Sequence, residues 1–202
     1  MIISSGWISI VAAFITGIIG PVLVKIILRW LEKKKDPLSE AFIYGEKIQE
    51  KLDMLREEYK ADRIYVLQFH NGGHYYPTGK SIQKFSMFYE VVKEPRFSVR
   101  NSFQNVPVHL FSKSLKELSD QEYITIPDYK DQTVATFGLK YIAEESGTRA
   151  SYLFTMRNID DKLIGVLGVD YLTTKKLDDN TVRTLQLEAA AIGGELTKYL
   201  KR

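Results

Sequence analysis

From Met1 to Val24 the chain carries no charged side chain, and the apolar run continues through "KIILRW" to Trp30. A helix in a soluble core has no need of so long an apolar stretch, whereas a membrane-spanning helix needs about 20 such residues. Trp7 and Trp30, the only tryptophans, bracket the run. At the helical rise they stand roughly 34 Å apart, which is close to the spacing of the two membrane interfaces where Trp collects. Lys25 and Arg29 sit where long basic side chains reach back to headgroups. A cleaved signal peptide carries its basic residues ahead of a shorter apolar stretch; here they follow it. The excess of Lys and Arg after the run places the remainder in the cytoplasm, with the chain a single-pass protein of the inner membrane. Ala13, Gly17 and Gly20 provide small residues at which two spans can approach closely.

The net charge of +3 divides unevenly. Lys25, Arg29, Lys33, Lys34 and Lys35 against Glu32 give residues 1–35 a charge of +4, which leaves −1 for the rest. Nucleic-acid binding relies on a concentrated basic face, and residues 36–202 have none to spare, so no nucleic-acid partner is expected. Cysteine is absent. That removes disulfides, thiolate metal sites, a cysteine nucleophile and thioether attachment of a chromophore. The expected organisation is therefore a transmembrane helix with a basic flank over residues 1–35, followed by one domain over 36–202 with 45% hydrophobic content across the chain to supply a core.

Within that domain, spacings of three and four predict a first helix over 38–60, with its apolar stripe at 38, 41, 45, 48, 52, 55 and 59. Strands are expected over 63–69, in the run "FSMFYEVV" at 85–92, and at 123–126. Helices are expected over 107–118 and 134–145. The runs "RASYLFTMRN" and "LIGVLGVDY" flank the polar turn "IDDK", the pattern of a hairpin. A closing helix over 180–200 places apolar residues at 182, 185, 189, 192, 196 and 199. This inventory predicts an α+β domain, an antiparallel sheet flanked by helices.

The order of these elements resembles a GAF domain. The likeness is carried by Gly147, Arg149 and Ala150 entering "SYLFTMRN", by "KLIGVLGVDY", and by the long last helix. Upstream, "NVPVHLFSKSLKEL" and "YITIPD" resemble the family's helix and short strand ending in Asp, here Asp128. The resemblance implies a six-stranded antiparallel sheet with a small-ligand pocket on one face, bordered by 63–69, 150–157 and the segment 128–140. It also implies pairing of two copies through the first and last helices. No cysteine is present for bilin attachment or methionine-sulfoxide reduction, and no cyclic-nucleotide signature is found.

The densest cluster of reactive side chains is "FHNGGHYYPTGKS", Phe69 to Ser81. A phosphate loop needs four residues between its first Gly and Gly-Lys-Ser. Counting back from Gly79 puts His74 in that place, and Pro77 has no N–H to offer an anion. His70 and His74, with Asp128 as a third ligand, are a metal candidate, but Gly72 and Gly73 between them speak for a loop. A third reading makes the stretch a loop over a binding pocket, with Tyr75 and Tyr76 covering a ligand. The expected ligand-binding residues are His70, Asn71, Tyr75, Tyr76, Asp128, Tyr129 and Arg149. Arg149 either faces an anionic ligand or forms a surface ion pair, and Asp170 is read as a strand end.

Together these features predict a membrane-anchored, GAF-like sensory and binding module rather than an enzyme, homodimeric, without a cofactor, acting through a small ligand or an unidentified protein partner. No kinase, cyclase or DNA-binding segment stands after the domain, so its signal is expected to pass through its surface or helices. The competing expectations are a membrane-tethered scaffold that binds no ligand, a phage-encoded holin-like membrane protein, and an enzyme that uses a metal or an NTP at the histidine-rich stretch.

Overall fold

The basic flank ends at Asp36-Pro37, and this dipeptide starts a helix. The computed structural model describes residues 7, 13–31, 36–75, 77–131 and 138–200. In it the Asp36 carboxylate accepts hydrogen bonds from the Leu38 and Ser39 amides at 3.2 and 3.1 Å. Asp36 is thus an N-cap, with proline as the first helical residue, where its missing N–H costs nothing. The Ser39 hydroxyl and these two amides hold its carboxyl below the usual carboxylate range.

Packing divides the chain into residues 1–40 and 41–202. In the first unit a π-helical turn, Ile15–Ile19, runs into helix α1, Gly20–Leu31. Phe14, Ile18, Val22, Leu23 and Ile26 are exposed along it. Among the described residues no helix is long and apolar enough to cross a membrane. The expected span begins in residues 1–6 and 8–12, which lie outside the described residues, as do the flanking residues 32–35.

Helix α2, Pro37–Tyr59, leads into the second unit. The sheet there comprises β1 (Arg63–His74), β2 (Ser81–Val92), β3 (Val106–Pro107), β4 (Tyr123–Ile126), β5 (Ala150–Arg157) and β6 (Leu163–Tyr171). Their order across the sheet is β3-β2-β1-β6-β5-β4, with antiparallel neighbours throughout. Helix α3, Ser112–Gln121, and helix α4, Leu139–Glu145, lie in the connections before and after β4; helix α5, Asp179–Leu200, closes the unit.

Alternation along the strands sorts side chains onto two faces. Ile64 and Val66 of β1, Tyr152, Phe154 and Met156 of β5, and Leu167 and Val169 of β6 join one core with Ile48, Leu52 and Leu55 of α2 and Leu185, Ala189, Ile192 and Leu196 of α5. The intervening residues Tyr65, Leu153 and Val166 build a second core with Phe85, Phe103, Phe111 and Leu118. The first and last helices therefore share one face of the sheet. Lys47–Glu195 at 2.9 Å and Lys51–Glu188 at 2.7 Å link them. The stripe expected along α2 is buried only from Ile48 onward; Leu38 is 60% exposed.

Two expectations change. "FHNGGHYYPTGKS" is not mainly a loop. Pairing of β1 with β2 continues through Asn71↔Gln83 and, past a register shift that absorbs the Gly pair, to His74↔Ser81. The antiparallel ladder satisfies backbone groups that a loop would leave to water. The helix expected over 107–118 begins only at Ser112, because Val106–Pro107 pairs with Lys84 and Phe85 as an edge strand, a place where proline loses no ladder bond, and Val108–Phe111 forms a 3₁₀ turn. The helix expected over 134–145 is described from Leu139; residues 132–137 lie outside the described residues.

The glycines of "LIGVLGVDY" act by what their missing side chains admit. A methyl group on Gly168 would overlap the Tyr65 ring, and one on Gly165 would overlap the Leu67 carbonyl and the Met156 methyl. Since Leu67 is backbone, Gly165→Ala cannot be relieved by a rotamer change. It is expected to destabilise the protein by about 2–3 kcal/mol, measured as a lowered urea midpoint of the full chain in detergent; an unchanged midpoint would show that β6 does not lie this close to β1.

Candidate functional site

Register makes Arg63 and Asp170 cross-strand partners, Arg63 opening β1 and Asp170 near the end of β6. Both side chains point to the second core and are 3% and 4% exposed. Arg63 donates from Nε and Nη2 to Asp170 Oδ2 at 3.0 and 2.6 Å. Nη2 also donates to Thr148 Oγ1 at 2.6 Å, and Nη1 to the Phe97 carbonyl at 2.8 Å. Ser151 donates to the remaining Asp170 oxygen at 2.6 Å. Burial, the largest single influence, opposes the guanidinium charge, but the Asp170 carboxylate, Tyr65 and Glu90 together outweigh it and raise the Arg63 pKa.

Beside this pair lies an internal cavity of about 50 Å³. Its walls are largely apolar, with Leu67, Phe85, Leu118, Leu139, Leu153 and Val166 among them. Hydroxyls enter from Tyr65, Ser114, Tyr129, Ser146, Thr148 and Ser151. Burial, then the nearby Asp170 charge, push both the Tyr65 and the Tyr129 phenols far above their usual pKa, so both stay neutral.

Val99, Phe103, Phe111, Ile142 and Ser146 also line an open groove of about 990 Å³. One bank of the groove is the segment Arg96–Phe103; the other is α4. The first bank is held down by Arg63 on the Phe97 carbonyl and by Glu90, which accepts from the Val99 amide at 2.8 Å and from the Ser98 hydroxyl.

No protein-family model matches the chain, and no curated protein matches it. Among solved structures, the blue-light-absorbing form of the PixJ GAF domain of Thermosynechococcus elongatus shares 18% identity at a TM-score of 0.61, covering 80% of this chain and 89% of its own. A phycocyanobilin-bound GAF domain from a cyanobacterial phytochrome shares 15% at a TM-score of 0.59, covering 89% and 94%. The photoproduct state of a GAF3 domain from Synechocystis sp. PCC6803 shares 16% at 0.58, covering 77% and 94%. The fold is that of a GAF domain.

On this GAF sheet the residues singled out from the sequence scatter. Tyr129 lines the internal cavity. Asp128 and Arg149 turn to each other, with Arg149 Nη2 donating to Asp128 Oδ2 at 2.9 Å and Nε in ionic contact with Oδ1 at 2.6 Å. Of the two readings of Arg149, the ion pair is the one this geometry contains. His70 and Asn71 lie on the β1–β2 ribbon, away from both voids; His70 Nε2 is 2.9 Å from the Ser86 hydroxyl. Tyr75, at the ribbon's turn, is 47% exposed, and Tyr76 lies outside the described residues. Lys80 is followed by strand β2, not by the helix N-terminus that a phosphate loop requires. Among the described residues no group of three or more His, Cys, Asp and Glu side chains is placed to hold a metal ion.

Arg63, Tyr65, Ser114 and Asp170 are the site residues that sequence reasoning missed. Asp170 lies one residue inside the end of its strand, which Tyr171 closes, and its role comes from its partner across the sheet. The signal was present in the alternation of "RIYVL", which puts Arg63 and Tyr65 on one face.

Removing Asp170 strands a buried guanidinium. Asp170→Ala is expected to cost about 3–5 kcal/mol in equilibrium unfolding, while Arg63→Met/Asp170→Leu recovers most of that loss. A single-variant cost under about 1 kcal/mol would mean that the pair is solvated like a surface one. At the half-buried Asp128–Arg149 pair, the Arg149 hydrogen bond, then the Lys130 amide, lower the Asp128 pKa. The stabilising contribution of Asp128 is therefore present above the ordinary carboxylate range and lost as pH falls through its depressed pKa. Its carboxyl carbon is expected to titrate by NMR below free aspartate, and Arg149→Gln to move that midpoint upward.

Proposed function

We propose that this chain is a membrane-anchored sensory module whose GAF-fold domain binds a small molecule between the sheet and the α3–α4 side and passes its state to a protein partner. The observation that carries this reading is the void. Protein interiors are close-packed, yet here a cavity with converging hydroxyls and a buried ion pair adjoins a groove of ligand size. Ligand binding acts by favouring one arrangement of the helices over another, which requires unequal affinity for the two.

Anchoring rests on the uncharged run to Val24, its Trp brackets and the basic residues after it. In this reading the domain is cytoplasmic at the inner membrane and pairs with a second copy through α2 and α5. The phycocyanobilin of one structural neighbour does not carry over, because the chain has no cysteine for a thioether and the internal cavity is far too small for a tetrapyrrole. A second reading, a scaffold without a ligand, draws on the chain's own aromatic rings in that cavity. Phe85 packs on Phe111 and Phe103 at ring distances of 5.5 and 6.4 Å.

Thermal unfolding of the full chain in detergent across a panel of metabolites separates the two. The sensor reading expects at least one compound to raise Tm by several degrees and Ile142→Trp, which crowds the shared wall, to abolish that rise; a flat response to the whole panel favours the scaffold. Alkaline carbonate extraction tests the anchor. The full chain is expected to stay with membranes and a variant lacking residues 1–35 to be released, whereas release of the full chain would overturn membrane anchoring.

A further inference from the structure

We infer that the internal cavity selects an uncharged ligand of about four to nine non-hydrogen atoms, held by hydrogen bonds to Tyr65 and Ser114. This rests on the ligand-binding reading above and narrows its chemistry. The first support is the charge balance inside. Arg63 and Asp170 are the ionisable pair lining the cavity, and they neutralise each other through two hydrogen bonds. The remaining guanidinium contacts go to Thr148 and the Phe97 carbonyl, and the other carboxylate oxygen is taken by Ser151. A charged ligand entering here would leave its own charge buried without a counter-ion, the costliest kind of burial.

The second support is a pair of hydroxyls with nothing to bind. Tyr65 is 9% exposed and Ser114 is 4% exposed, and both line the cavity. Neither hydroxyl has a hydrogen-bond partner among the described residues, whereas Ser146, Thr148 and Ser151 beside them all do. Buried polar groups are nearly always satisfied, by protein, water or ligand. Tyr65 comes from β1 and Ser114 from α3, so a molecule bonded to both bridges the sheet and its cover. The neutrality of the Tyr65 phenol leaves it able to donate as well as accept.

The third support is size. One water needs roughly 10–15 Å³ of such space, so the cavity's 50 Å³ admits the equivalent of a few waters or one compact molecule. The apolar walls favour a molecule with a hydrophobic body and one polar group over a water cluster, since each confined water needs two to four polar partners.

Phenol, benzene, benzoate and benzylammonium share a ring and differ in charge and hydrogen bonding. Titrated into the full chain in lipid nanodiscs, each is followed by the backbone amide shifts of Ser114 and Gly168. Phenol is expected to saturate both signals, with benzene weaker and both ions at least tenfold weaker. Because the ions partition less into lipid, their free concentration is the higher one and the comparison is strict. Tyr65→Phe and Ser114→Ala, which remove a hydroxyl and keep the packing, are each expected to weaken phenol roughly fivefold, the worth of one net hydrogen bond, and to leave benzene unchanged. Benzoate or benzylammonium binding as well as phenol overturns this inference and keeps the ligand-binding reading. Phenol binding untouched by either variant also overturns it. Silence from all four probes overturns this inference, while the metabolite panel decides the ligand-binding reading separately.

Discussion

The domain is organised around one buried ion pair. Arg63 and Asp170 face each other across β1 and β6, and desolvating both charges is worthwhile only because nearly every donor and acceptor is used. The guanidinium reaches the start of β5 through Thr148 and the groove's rim through the Phe97 carbonyl, while Ser151 closes the carboxylate. Four chain segments far apart in sequence are thereby held to one point. The cavity lies beside that point, with the pair forming part of its wall.

The sheet divides the domain's labour by the parity of its residues. Even positions of β1 and β5 face α2 and α5 and pack into a closed core, whose helices are also tied by Lys47–Glu195 and Lys51–Glu188. Odd positions face the cavity, where the cover is assembled from short helices, 3₁₀ turns and a two-residue edge strand. Short elements bury little area each. That side is where a domain of this design holds space and where its packing is easiest to change.

What the sequence made legible follows from the range of the interactions involved. The closing helix was readable because its stripe at Val182, Leu185, Ala189, Ile192 and Leu196 is a local periodicity, and the β5–β6 hairpin because strand, turn and strand are contiguous. The site was not readable in this way. Arg63 meets Asp170 from 107 residues away, and Tyr65 finds its room at Gly168; neither relation has a local signature. The conspicuous "FHNGGHYYPTGKS" misled for the opposite reason. Its polar and glycine-rich composition reads as loop, but the partner strand supplies the ladder that composition cannot show.

Only three residues separate α2 from Arg63, and they have no slack. Lys60 takes the left-handed conformation at φ 51°, and Ala61 is 2% exposed with its amide bonded to the Arg56 carbonyl. Asp62 donates its amide to the Asp170 carbonyl and accepts the Leu172 amide on its carboxylate, while the Tyr171 hydroxyl holds the last helical carbonyl at Tyr59. A link tied at every residue transmits rather than absorbs strain, so the groove's rim at the Phe97 carbonyl, Arg63 and the C-terminal turn of α2 are joined by one unbroken run of hydrogen bonds.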